Sequence, residues 1–200
     1  LCQAFFQESG KEEGMKRVVI VLGLCALLGG CGRRELEDRR FPTVLTAETG
    51  NIKAQEEERQ AQDSKYIDYG HVKAVILSRE TAENGQMLRE ILSYLENNPV
   101  FARNILIYVG DEETLETAKK KEEDTGIYLE DLAKNQPGDG ALELPLKDLL
   151  NYLHNGEASI KLPALYTENG KILPGGSIEL TQEAASASNV PIPRKTGFKE

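Results

Sequence analysis

The sequence predicts an α/β fold, a small mixed β-sheet with a βαβ unit flanked by helices. Three observations carry that expectation. His71 to Leu77 (HVKAVIL) and Asn104 to Val109 (NILIYV) are short, mostly apolar runs of the kind that forms strands buried on both faces. Between them, Met87, Leu88, Ile91, Leu92 and Leu95 recur at three- and four-residue spacing and line one face of a helix. Farther on, Glu168-Asn169-Gly170 joins two β-prone segments through a strong hairpin signal. Strand, amphipathic helix and strand in close succession make a right-handed βαβ unit, so the first two strands should lie parallel and adjacent.

Taken in order, Phe41 to Glu48 (FPTVLTAE) reads as a short strand with its proline near the start, where a missing N–H is tolerated. Residues 53–64 (KAQEEERQAQDS) are polar nearly all round and form at most a solvent-facing helix. The helix over Asn84 to Asn97 is ended by Asn97-Asn98-Pro99. Asp111 caps the next helix, with Glu112 and Glu113 in its first turn and Lys119, Lys120 and Lys121 in its last, matching the helix dipole at both ends. A calcium loop built from Asp111, Glu112, Glu113, Glu122, Glu123 and Asp124 would need alternating acids around a central glycine, a pattern this stretch lacks. A further helix is expected from about Tyr128 to Lys134, then a loop over Asn135-Gln136-Pro137-Gly138-Asp139-Gly140. Pro145 opens another helix with Leu146, Leu149, Leu150 and Leu153 turned inward, closed by Asn155-Gly156. Ile160 to Tyr166 and Lys171 to Leu173 form the hairpin. From Gly175 onward the chain turns small, polar and proline-containing, and a frayed tail is expected.

The front of the chain has a different logic. Residues 1–14 show no sustained periodicity and read as a start artefact. Met15, Lys16 and Arg17 then precede the apolar run Val18 to Leu28, too short to span a hydrocarbon core but the right length for a signal peptide over 15–30. The run ends in Leu28-Gly29-Gly30-Cys31, which resembles the lipobox of bacterial lipoproteins, and Cys31 is the expected lipid-attachment residue. The alternative is an ordinary secretory leader with a cysteine near its cleavage site. Two acyl chains anchor stably where one binds only reversibly. Residues 31–40 follow as a charged juxtamembrane linker. Its arginines, Arg33, Arg34, Arg39 and Arg40, either pair with anionic headgroups or belong to a solvated mixed-charge segment. The folded domain is expected over 41–175 and the tail over 176–200.

Composition narrows the function. With 33 acidic against 24 basic residues and a net charge of -9, the chain has no basic patch for nucleic acid. Cys2, Cys25 and Cys31 are its three cysteines, so no disulfide framework or cysteine-based metal site lies downstream. Neither a Gly-x-Ser-x-Gly elbow nor a phosphate-binding glycine loop occurs. The two histidines have bland explanations. His71, with Asp68 three residues before it, lacks third and fourth ligands at zinc spacing and reads as a partly buried histidine satisfied by a backbone or carboxylate partner. His154 falls at a helix C-terminus, where its cation suits the dipole. No cofactor or metal site is expected, and the chain reads as a binding or interaction module rather than an enzyme.

Cys31-Gly32-Arg33-Arg34-Glu35-Leu36-Glu37-Asp38 resembles the mature start of the Ger(x)C family, the lipoprotein C subunits of spore germinant receptors. Tyr69 to Leu77 is similar to that family's Gly-His-apolar-Lys strand, Met87 to Val109 to its leucine-rich helix and next strand, and Leu146 to Leu153 with Leu162-Pro163 to its later helix and strand. The resemblance covers roughly Met15 to Gly170. Three features depart from the family pattern: Gly32 alone separates the cysteine from the arginines, Thr49 to Ser64 is short, and the family's larger C-terminal region has no counterpart before Glu200. What the resemblance implies is a non-enzymatic subunit, tethered through Cys31 to the outer face of the cell membrane and the inner membrane of the spore, beside integral membrane A and B subunits. A truncated, inactive relative is one alternative; a solute-binding lipoprotein and a tethered enzyme using Asp68 and His71 are the others.

Overall fold

The computed structural model describes residues 36–135 and 142–181. In chain order the elements are β1 (Arg39–Arg40), β2 (Val44–Ala47), α1 (Ile52–Gln62), β3 (Tyr66–Ile67), β4 (Ala74–Ser78), α2 (Arg79–Glu83), α3 (Gly85–Asn97), β5 (Leu106–Gly110), α4 (Glu112–Lys120), α5 (Glu122–Asn135), α6 (Leu146–Asn155), β6 (Ser159–Glu168) and β7 (Lys171–Thr181). A five-stranded sheet has the order β2-β4-β5-β6-β7, its first four strands parallel and β7 antiparallel. β1 and β3 form a separate parallel pair. The fold is α/β, as expected.

The two apolar runs become β4 and β5, paired in parallel from Ala74↔Leu106 to Ser78↔Gly110, with α3 between them in the chain. Both strands are buried throughout their apolar stretch because helices cover both sides of the sheet. On one face Val75, Leu77, Ile107 and Val109 meet Leu88, Ile91, Leu92 and Leu95 of α3 and Leu146, Leu149 and Leu150 of α6. On the other, Ala74, Ile76, Leu106 and Tyr108 meet Leu115 and Ala118 of α4 and Leu129 of α5.

Local signals set most helix ends. The Asn84 side chain accepts from the N–H groups of Gln86 and Met87 at the start of α3, and the Asp111 carboxylate accepts from Thr114 N–H at the start of α4. α6 closes at Gly156 in the left-handed conformation, φ 71°. Its start has no side-chain cap; the carbonyls of Ile105 and Arg103 accept from Leu146 and Lys147 N–H instead. At the hairpin, Asn169 (φ 52°) and Gly170 (φ 70°) supply the two positive dihedrals that a tight β-turn of the right twist requires.

Five boundaries differ most from expectation, the first being β2, which begins at Val44 rather than Phe41. β4 begins at Ala74 rather than His71, because Tyr69–His71 form a 3-10 turn capped by Asp68. α5 begins at Glu122, a full turn and more before Tyr128; its opening acids suit the dipole, and its buried positions there are Glu122, Thr125 and Gly126, which show no apolar period. β7 runs on to Thr181, so the hairpin outlasts the frayed tail expected from Gly175: Ser177, Ile178, Glu179, Leu180 and Thr181 each face a β6 residue. The juxtamembrane linker also ends early, since Arg39 and Arg40 already pair with Tyr66 and Ile67. The expected loop over 135–140 falls almost wholly outside the described residues.

Candidate functional site

Cys31 lies outside the described residues, as do Arg33 and Arg34. The first strand after it, β1, is therefore where a segment leading from Cys31 joins the domain, and its docking defines the site. Arg39 pairs with Asp68 at 3.0 Å and lies over the Tyr66 ring, 5.9 Å from the centroid. Arg40 donates to Asp63 at 2.7 Å and lies 3.6 Å from Glu122 and 3.7 Å from Glu123. These two arginines are thus held by protein carboxylates, which corrects their assignment to headgroups or to a solvated linker. Glu122 is nearly buried and also receives the Arg59 guanidinium from α1. Two arginines from distant parts of the chain converge on one carboxylate, and their charges offset the cost of burying it.

Thr43 fixes the same corner from below. Its N–H and hydroxyl both donate to the Glu122 carbonyl, the hydroxyl also reaches the Glu123 carbonyl at 2.9 Å, and Gly126 N–H donates to the hydroxyl oxygen at 2.9 Å. The contact is so close that a Cβ on Gly126 would sit 1.9 Å from the Thr43 carbonyl oxygen. A glycine is required here by space rather than by backbone dihedral.

Beside this corner, α1 rests on a polar and aromatic seam. The Tyr94 hydroxyl donates to Glu56 at 2.5 Å and accepts from Asn98 at 3.1 Å. Phe101 lies between Tyr69 and Tyr94, with ring centroids 6.5 and 6.0 Å away. Burial lifts the Glu56 carboxyl above its ordinary value, against the opposing pull of the Tyr94 hydroxyl and Arg59. Burial likewise pushes the Tyr69 hydroxyl up to about 12.

The remaining residues singled out from sequence do not converge. Asp68 is committed to Arg39 and to Gly70 N–H, while His71 is exposed and packs edge-on against Phe41 at 4.9 Å, not partly buried against a carboxylate. His154 Nε2 reaches Glu96 at 3.3 Å, tying α6 to α3. Among the described residues no three histidine, cysteine or acidic side chains are grouped as metal ligands. A cavity of about 320 Å³ opens beside the end of β5 and the interior of β6, where Arg79, Asp111 and Tyr166 are its ionisable lining groups, Asp111 already serving as a helix cap. No helix among the described residues is long and apolar enough to cross a membrane.

Sequence reasoning missed Arg59, Asp63, Glu122, Thr43 and Gly126. None of them carried a local signal; Gly126 falls inside a helix only because α5 begins at Glu122 rather than near Tyr128.

The chain matches the family model for the spore germination protein N-terminal domain over residues 31–166, more than half its length, from Cys31 to within β6. No curated protein and no solved structure matches it. With the lipobox-like cysteine at the first matched residue and the β4-α3-β5 core inside the matched span, the chain belongs to the Ger(x)C family of spore germinant-receptor C subunits, whose N-terminal domain it contains.

Proposed function

We propose that this protein is a lipid-tethered, non-catalytic subunit of a spore germinant receptor, attached through acylated Cys31 and working beside integral membrane A and B subunits in nutrient-triggered germination. The observation that carries the reading is the docked tether root. Arg39 stands eight positions after Cys31, so a fully extended chain reaches at most about 29 Å from the lipid to β1. A short leash with a clamped inner end keeps the domain at the headgroup level, where it can bear on neighbouring membrane subunits. The surplus of carboxylates disfavours spreading onto anionic lipid, which leaves the domain free to face protein.

Membrane fractionation tests the anchor. Cys31→Ala is expected to move the protein from the membrane to the soluble fraction, to abolish labelling with a fatty-acid probe, and to slow nutrient-triggered germination as far as gene deletion does. Retention of both membrane association and labelling would sink the lipid tether. A deletion strain that germinates normally would favour a vestigial copy.

A further inference from the structure

We propose that α1 is a strap, able to leave the domain while the rest stays folded, and that Glu122 is the catch that couples it to the tether root. The inference begins with how little apolar surface holds α1 down. Ile52 is its one buried residue, against five in α3. Polar contacts do the rest: Glu56 with Tyr94, Arg59 with Glu122, and the Gln60 side chain, which accepts from Ile67 N–H of β3 and donates to the Lys65 carbonyl. Polar contacts of this kind are exchanged for water on opening at small net cost, unlike buried apolar area.

The seam beneath is also incompletely satisfied. Gln55 Oε1, Glu56 Oε1 and the Tyr69 hydroxyl are buried without a hydrogen-bond partner, and all three belong to α1 or to the 3-10 turn beside it. Lifting α1 returns these atoms to water, so the closed seam gives up part of what it gains. It also frees the Tyr94 hydroxyl from Glu56 and exposes more of the half-buried Tyr69 and Tyr94 rings, which pack on Phe101.

Glu122 connects this motion to the start of the domain. Arg59 of α1 and Arg40 of β1 both face its carboxylate, and Asp63, one residue past α1, takes a further, closer contact of Arg40. A displacement of β1 therefore disturbs the carboxylates that hold α1, and release of α1 removes a neighbour from the β1 contact. Only the source of such a displacement, a pull through a lipidated Cys31, rests on the tether reading.

Hydrogen exchange of the full chain carrying Cys31→Ala, which needs no lipid, tests the strap apart from the tether. The amides of α1 should be at least about a hundredfold less protected than those of α3. Glu122→Gln should accelerate exchange in both α1 and β1 by about tenfold and leave α3 unchanged, while Arg59→Gln should accelerate α1 alone. Equal protection of α1 and α3 in the parent chain would overturn the strap, and that measurement stands even if Glu122→Gln fails to fold. A Glu122→Gln chain that folds with unaltered α1 exchange would overturn its role as catch, as would equal acceleration of α3.

Discussion

Helices α1 and α3 contribute to the same apolar cluster and are held to it by opposite means. α3 buries Leu88, Ile91, Leu92 and Leu95 in a continuous stripe, each side chain contributing roughly 1.5–3 kcal/mol. α1 buries Ile52 and otherwise relies on polar contacts, an ion pair, a tyrosine–carboxylate hydrogen bond and the Gln60 side chain's bonds to Ile67 N–H and the Lys65 carbonyl, each worth about 1 kcal/mol. Similar length and position do not make similar anchors. What separates them is apolar area, and it divides an apolar β4-α3-β5 core from a polar front edge where the segment from Cys31 joins.

The comparison breaks first at its strongest point. Leu92 is fully buried, and Leu92→Ala should cost about 2–5 kcal/mol in urea unfolding; a loss below about 1 kcal/mol would mean that α3 is not the anchor its stripe suggests. Next comes the join between the front edge and the core, where Gly126→Ala drives a methyl into the Thr43 carbonyl and should cost about 1–3 kcal/mol. Unchanged stability there would show that α5 can shift away from β2 without penalty. Arg59→Gln, acting on α1 alone, should cost about 1 kcal/mol, with Arg40 still near Glu122 to limit the damage. A loss as large as that of Leu92→Ala would erase the distinction between the two helices.

The smallest expected effect has the opposite sign. The Glu56 carboxyl is raised above its ordinary value in the folded state, so its ionised form weighs against folding at neutral pH. Its favourable contribution is full below the unfolded value of 4.5 and is lost as pH rises through the folded one. Glu56→Gln keeps an acceptor for the Tyr94 hydroxyl and removes the buried charge. It should match or slightly exceed the parent in stability at about pH 7, with the gap closing at about pH 4. A variant less stable than its parent at neutral pH would show that the charge itself holds the seam.

The apolar half was legible in the sequence and the front edge was not, for one physical reason. β4, α3, β5 and the Asn169-Gly170 turn advertise themselves through periodicity or turn chemistry within a dozen residues. The site is made of pairs far apart in the chain: Arg40 with Asp63 and Glu122, Arg59 with Glu122, Thr43 with Gly126. A carboxylate in the run Glu122-Glu123-Asp124 looks the same whether it complements a helix dipole or receives two arginines, and only the fold decides. β7 shows the same limit in a strand. Its Gly175, Gly176 and Ser177 have poor β propensity; Gly175 and Gly176 lie at the register shift between Pro163 and Leu165, Gly176 with φ 92°, and pairing with β6 resumes where Ser177 faces Pro163.

The Thr43–Gly126 contact also sets a timetable. The two residues are separated by 83 positions, so during synthesis at about 5–20 residues per second the corner that starts the domain waits roughly 4–17 seconds for the helix that completes it. Throughout that interval β2 has no α5 to rest on, and the newborn chain presents an unfinished edge at its leading end. The corner at the start of this domain thus cannot close until the first turns of α5 have been made.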